Sequence, residues 1–349
     1  MVPFGGWEMP LQYEGILAEY AAARREAVIF DTSHMGEFIV SGDPGTSGLD
    51  RLVTQRLYDL APGNCRYGAL LNEKGGVLDD LIVYRIAASR WMAVVNGATM
   101  GKDAAQFKSV IPTAGAFFNA SFETGKVDVQ GPRSRELLLK FIKGIEKLSY
   151  YTFAEFDVLG TRAIVSRTGY TGELGYEIYF PWARMPELWN KALSLGAKPA
   201  GLGARDVLRL EMGYSLYGHE LAEDISPLEA GLDRFMDWDK DFVGKAALLK
   251  EKEKGIKRKV ACFTSVSRRS LRNGFKIFSA QGKEIGIVTS GTFSPALGRG
   301  IGMGLVDTGL EKKGQKILVG EGLPAMAGRN NFEAQITARP FYKQGTLKD

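Results

Sequence analysis

Two acids stand side by side at Asp79-Asp80, between the Gly75-Gly76 turn and the apolar run Leu81-Ile82-Val83-Tyr84. Successive side chains of a strand point to opposite faces, so on a regular strand these carboxyls cannot share a site and one of them faces inward. An inward carboxylate is costly unless it is paired, hydrogen-bonded or at work on a ligand. A turn acid capping a hairpin has the same spacing. The residues themselves leave both readings open, and with them the choice between Asp79 and Asp80.

A second candidate is Gly169-Tyr170-Thr171-Gly172-Glu173-Leu174-Gly175-Tyr176-Glu177. Its glycines let backbone come close, its tyrosines offer flat surfaces, and a Glu that accepts paired N–H groups suits an aminopyrimidine edge. Gly-rich hairpins with aromatics are also common without a ligand. In the third, Gly203-Ala204-Arg205-Asp206-Val207-Leu208-Arg209-Leu210-Glu211, the two Arg fall four apart on one helix face, a spacing that by itself describes solvated surface. Asp31-Thr32-Ser33-His34-Met35 collects Ser, His and Asp, but a hydrolytic triad is defined by spatial geometry and no G-x-S-x-G elbow occurs, so a serine hydrolase is rejected. Gly-rich nucleotide signatures are absent as well.

The elements that must carry these groups are legible from periodicity. Residues 14–25, 49–57, 134–142, 181–195 and 205–214 read as amphipathic helices, with Trp182, Met185, Leu188, Trp189 and Ala192 on the inner side of the fourth. Strands are expected at 36–41, 67–71, 77–86, 91–96 and 127–130, with a Gly loop at 72–76 making the second and third a hairpin. Residues 151–180 alternate as further strands. Short strands at 260–263, 275–279, 284–290, 302–306 and 315–319, without a convincing helix, suggest a small all-β unit after a boundary near 241–255. Without a regular βαβα period, the class is α+β with antiparallel sheets.

A chain of 349 residues is long enough for two or three domains. Composition is ordinary apart from 43 Gly, about 12% against a usual ~7%, which belongs in turns and close approaches. No stretch approaches a membrane span or has the design of a signal peptide, so a cytoplasmic protein is expected. The two Cys, Cys65 and Cys262, and two His support neither a disulfide framework nor a metal cluster. Net charge is +5, yet Lys240 to Lys276 holds twelve basic residues against three acids. That run reads first as a solvated face, then as a site for an anionic ligand or acidic partner, and only last as nucleic-acid binding.

Several segments together resemble one family, the aminomethyltransferase or T-protein of the glycine cleavage system. They are Met1-Val2-Pro3-Phe4-Gly5-Gly6-Trp7-Glu8-Met9-Pro10, Phe30-Asp31-Thr32-Ser33-His34-Met35, the run from Leu71 to Tyr84, Gly169-Tyr170-Thr171-Gly172-Glu173, Gly203-Ala204-Arg205-Asp206 with Leu208-Arg209-Leu210-Glu211, and Thr289-Ser290-Gly291-Thr292-Phe293-Ser294-Pro295. Their order and spacing are specific where each alone is weak. The resemblance implies an enzyme that takes the aminomethyl group on the lipoyl arm of an H-protein, releases ammonia, and passes the methylene to tetrahydrofolate as 5,10-methylenetetrahydrofolate. It implies Asp80 as the catalytic carboxylate, Glu177 as the pterin-binding acid, Arg205 as a folate contact, Tyr67, Asn96 and Tyr170 as further pocket positions, and Lys343 as the basic residue that reaches the folate. No metal is implied. The implied fold is a three-domain cloverleaf, with a discontinuous folate-binding domain of residues 1–35 plus 128–240, an α+β domain of 36–127 carrying the catalytic hairpin, and a C-terminal β-barrel domain of 241–349.

The implied partners are the lipoylated H-protein, with a functional link to the P- and L-proteins, and neither nucleic acid nor membrane. Family members usually carry about twenty residues ahead of the segment that here begins at Met1, and without them an edge of the first domain is expected to lie open. The architecture is similar to that of folate-dependent demethylases and of the folate domains of dimethylglycine and sarcosine oxidases, but this chain has no room for a flavin domain. A non-catalytic folate-binding protein of iron–sulfur assembly carries Lys-Gly-Cys-Tyr-x-Gly-Gln, where this chain has Asp239-Lys240-Asp241-Phe242-Val243-Gly244-Lys245 without the Cys.

Overall fold

Apolar alternation and a Gly turn produce the central hairpin. Strands Cys65–Leu71 and Val77–Ala87 pair antiparallel, and Arg90–Val95, Gly36–Ser41 and Phe117–Asn119 extend them, in that order, into a five-stranded sheet. The computed structural model describes residues 1–113, 115–321 and 331–349. One face of the sheet buries Phe38, Leu81, Val83 and Trp91 against Ala104 and Phe107 of the helix Met100–Val110. The other face presents Tyr84, Met92 and Val94 to Phe153 and Tyr179 of a second sheet.

That second sheet has six strands, in the order Phe153–Val158, Thr161–Ser166, Gly175–Pro181, Thr124–Gln130, Val28–Asp31 and Lys198–Pro199. Its last pair is parallel and the others antiparallel. Thr124–Gln130 belongs to it along its whole length, across the expected division at 127/128. Leu137, Leu138, Leu188 and Ala192 of the helices Ser134–Leu139 and Met185–Ser194 cover its outer side. Helices Ile16–Arg25 and Leu202–Glu211 pack on each other beside it through Tyr20, Ala23, Ala204 and Leu208.

The C-terminal unit is a closed six-stranded barrel, filled by Phe263, Ile277, Val288, Val306, Val319 and Ile336. The α+β class, the antiparallel sheets and the barrel agree with the sequence reading. Closure depends on Phe332–Thr337, a strand not expected from the sequence, which pairs with both Lys316–Gly320 and Arg258–Ser265.

Other elements also differ from expectation. The helix read over 49–57 stops at Leu52, because Val53 turns extended and bridges to Leu70 while the Thr54 N–H donates to the Ala69 carbonyl at 3.0 Å. Its apolar spacing serves burial in either conformation: Leu49, Leu52, Val53 and Leu57 are all buried. Trp182, expected inward, lies in a short turn ahead of the helix, is 40% exposed, and leans on Trp7 at 5.8 Å between ring centroids. Helices Met100–Val110 and Lys245–Lys254 escaped the sequence reading, since their apolar stripes are narrow and interrupted by Lys.

The tip of the central hairpin is gripped from outside its own sheet. The Val77 N–H donates to the carbonyls of Ala222 and Ile225, both at 3.0 Å, and Leu71 and Val77 pack with Leu221, Ile225, Phe242, Leu248 and the barrel's Leu305. A Cβ on Gly76 would fall 1.8 Å from the Glu223 carbonyl oxygen, so only Gly lets these backbones meet. Gly76→Ala should therefore cost about 1–3 kcal/mol in urea unfolding. An unchanged midpoint would show that the 222–225 segment yields freely.

Candidate active site

Asp79 and Asp80 follow an irregularity in the hairpin, where Leu70 pairs with Asp79 but Leu71 with Val77. They point to opposite faces, as strand geometry requires. Asp79, fully buried, has the parity of Leu81 and Val83 and faces the helix Met100–Val110, whereas Asp80 shares its face with Ile82 and Tyr84. Asn96, just past the end of the neighbouring strand, still reaches both. Its Nδ2 donates to Asp79 Oδ1 at 2.8 Å and to Asp80 Oδ1 at 2.9 Å, while its backbone N–H donates to Asp79 Oδ2 at 2.9 Å. The Tyr67 hydroxyl donates to Asp80 Oδ2 at 3.0 Å, and its ring meets Phe235 edge-on.

These contacts set the proton affinity of Asp80. Burial, and then the charge of Asp79, push its carboxyl up to about 7, against the pull of the bonds from Tyr67 and Asn96. A carboxyl that titrates near neutrality can take or return a proton at working pH.

Beside it runs a buried line of alternating charge. Arg205 Nη1 meets Asp128 Oδ2 at 2.7 Å, Asp128 Oδ1 meets Lys126 Nζ at 2.9 Å, and Lys126 Nζ meets Glu177 Oε1 at 2.6 Å. Burial alone would raise Asp128, but Lys126 and Arg205 outweigh it and hold the carboxyl at about 2. Glu177 also accepts from Thr168 and from the Tyr84 hydroxyl on Oε2. Tyr170 donates to the Ser215 carbonyl, stacks on Tyr214 at 5.6 Å, and lies 5.2 Å under the Arg205 guanidinium.

Tyr67, Asp80 and Asn96 are thus joined directly, Tyr170 meets Arg205, and Glu177 reaches Arg205 through Lys126 and Asp128. Lys343 lies in the C-terminal segment, where it lines a cavity of about 300 Å³ with Arg299 and Lys313. The Arg pair read as solvated surface is largely buried. Arg209 bonds Asp206, Glu220, Ser290 and the Tyr214 carbonyl, because barrel and helix close over it. In the 31–35 segment, His34 packs edge-on against Phe4, and burial followed by the charges of Arg205 and Lys126 lowers it to about 3.

Lys126 and Asp128 were not singled out in the sequence. Their signal is the polar set in Lys126-Val127-Asp128-Val129-Gln130, which reads as a solvated strand face until a second sheet covers it.

Residues 1–240 match the GCVT N-terminal domain, and residues 258–343 match the Glycine cleavage T-protein C-terminal barrel domain. An aminomethyltransferase of Pseudothermotoga lettingae is 40% identical over 356 residues, covering 100% of this chain and 95% of that protein. One from Listeria monocytogenes is 41% identical over 347 residues, 98% of this chain and 94% of its own length. The crystal structure of the glycine cleavage system aminomethyltransferase T from Bartonella henselae superposes with a TM-score of 0.89 at 30% identity, covering 99% of this chain and 94% of that one. The chain belongs to the glycine cleavage T-protein family. It is a one-carbon group transferase, an aminomethyltransferase of the glycine cleavage system that depends on tetrahydrofolate.

The charge line makes a testable demand on stability. Lys126→Met strips a buried cation from two carboxylates and should lower unfolding free energy by about 3–5 kcal/mol. Asp128 is held below its unfolded value, so its share of stability is present above about pH 4 and lost as pH falls toward 2. Asp128→Asn should remove that acid-side slope in unfolding measured against pH. A slope that persists would place its origin elsewhere.

Proposed function

We propose that Asp80 is the carboxyl that acts on the reacting nitrogen, and that Tyr67, Asn96, Tyr170, Glu177 and Arg205 hold tetrahydrofolate around it. The aminomethyl donor in this reading is the lipoyl arm of an H-protein, which links the chain functionally to the P- and L-proteins. The observation that carries it is the Asp80 carboxyl, bonded on both oxygens by Tyr67 and Asn96 and raised to about 7. Exchange of the carbon–nitrogen bond at S–CH2–NH3+ needs the folate amine unprotonated and in line with the methylene while ammonia leaves. Positioning supplies much of that requirement, and a carboxylate stabilises the developing positive charge or takes the proton. The reaction written this way needs no metal.

Glu177 suits the amino group of a pterin's aminopyrimidine ring, because a carboxylate has about four lone-pair sites and its three present donors leave Oε1 room for one more N–H. Lys343, together with Arg299 and Lys313, suits the carboxylates of a folate tail. A cytoplasmic location fits two buried, unpaired cysteines, Cys65 and Cys262. We divide the chain into the same three domains as the family pattern, with the whole of Thr124–Gln130 assigned to the folate-binding unit.

The test is a single assay with tetrahydrofolate and aminomethylated, lipoylated H-protein, in which methylenetetrahydrofolate and ammonia should appear in equal amounts. Asp80→Asn should lower turnover by at least about 10²-fold while tetrahydrofolate still binds. Unchanged turnover would sink the assignment. Glu177→Ala should weaken folate binding first, and a loss of rate at unchanged affinity would reverse the two roles. Because the charged form of Asp80 does the work, the rate should rise with pH through about 7 and level above it.

A further inference from the structure

Behind the Asp80 site lies a carboxyl whose position the reaction as written does not explain. Asp103, in the first turns of the helix Met100–Val110, is 0% exposed, and neither of its oxygens receives a hydrogen bond. Two unsatisfied carboxylate oxygens in an apolar sheet–helix layer are untenable as an anion. Two groups lie within hydrogen-bonding reach, the Thr99 hydroxyl, which donates to the Asn96 carbonyl at 3.0 Å, and another carboxyl, that of Asp79, facing it from the hairpin strand. Thr99 and Lys102 approach from Asp103's own element, and Lys102 is turned to the surface, bonded to the Tyr217 hydroxyl at 2.7 Å and to Glu223 at 2.8 Å.

Two carboxyls in contact without a cation between them satisfy each other by sharing one proton. Its location follows from the other contacts. Asp79 already accepts the N–H and Nδ2–H of Asn96 on its two oxygens, which favours the charged form there, whereas the hydroxyl beside Asp103, that of Thr99, donates to the Asn96 carbonyl at 3.0 Å.

Resting on the reading of Asp80 as the working carboxyl, we propose that Asp103 is a positioning residue for that reaction. It stays protonated and donates to Asp79, so that Asp79 remains the anionic anchor of Asn96, whose amide in turn holds Asp80. Burial, then the charge of Asp79, push Asp103 up to about 9, in keeping with a carboxylic acid at working pH. The arrangement also reaches Asp80 electrostatically. Tyr67, Asn96 and Tyr170 act on Asp80 beside the adjacent Asp79 on the opposite face of the strand, and among these groups the Asp79 charge raises its proton affinity. Without a donor from Asp103, Asp79 would take the proton itself. Asp80 would then lose its charged neighbour, and Asn96 its anionic anchor.

The test pairs spectroscopy with a pH profile on the full chain. At pH 8, a carboxylic-acid C=O band should be present in the infrared spectrum of Asp80→Asn and lost on adding Asp103→Asn. Glu37, which burial also raises, contributes equally to both spectra and cancels in the difference. A difference spectrum without that band overturns the proposal, whatever Asp80 does in catalysis. In turnover, Asp103→Leu should move the acid limb of kcat to lower pH by about one unit. Asp103→Asn keeps a donor without a charge and should restore the wild-type profile. A Leu variant that is slower at every pH with an unmoved limb would make Asp103 structural only and overturn the positioning role. If Asp80→Asn instead turns over normally, the reading of Asp80 fails, and the infrared difference still decides the protonation of Asp103.

Discussion

A carboxylate withdrawn from water needs donors, a cation or a proton, and the space around the two large sheets is arranged by that need. Asp128 and Glu177 are met by Lys126 and Arg205, Asp80 by Tyr67 and Asn96, and Asp79 by Asn96 from a side chain and a backbone at once. The two solutions leave the groups in different states. Cations beside Asp128 keep it charged, whereas burial and a charged neighbour, opposed only by neutral donors, leave Asp80 balanced near pH 7. A static ion network and a titrating carboxyl therefore stand close together in one molecule, distinguished by the partners each one has.

Such precision requires the supporting elements to be held from several directions. The hairpin carrying Asp80 is anchored at its tip by the 221–248 region and the barrel's Leu305, not by its own sheet alone. The barrel is tied to the helix Leu202–Glu211 by side chains as well as by apolar contact. Arg209 bonds Ser290, and Ser294 donates to Glu211, which also takes Arg24 at 2.6 Å and the Tyr20 hydroxyl. The residues that close the barrel over this helix thus help to fix the same helix that presents Arg205.

Much of the frame was readable from local pattern. The central hairpin, the paired strands of 151–180 and most barrel strands announce themselves by alternation and Gly turns, which act over neighbouring residues. What local pattern missed has a common cause. The segment 49–57 has helical spacing yet ends its helix at Leu52, because backbone pairing with Leu70 and Ala69 outweighs a weak local preference. Phe332–Thr337 becomes a strand by filling the gap between two barrel edges far apart in sequence.

The site divides along the same line. Residue types and spacing determined that an acid pair follows a Gly turn ahead of an apolar strand, that its two side chains face apart if that strand is regular, and that a Gly-rich tyrosine loop and an Arg-bearing helix lie downstream. Tertiary structure decided the rest. One amide beyond the next strand bridges the two acids, an alternating strand turns from an apparent solvent face into a buried ion line, and an Arg pair with surface spacing becomes part of the interior. Alternation and helical period are set by the backbone within a few residues. Burial, and with it the partners and proton affinity of every charged group, is set by whichever distant segment covers that face.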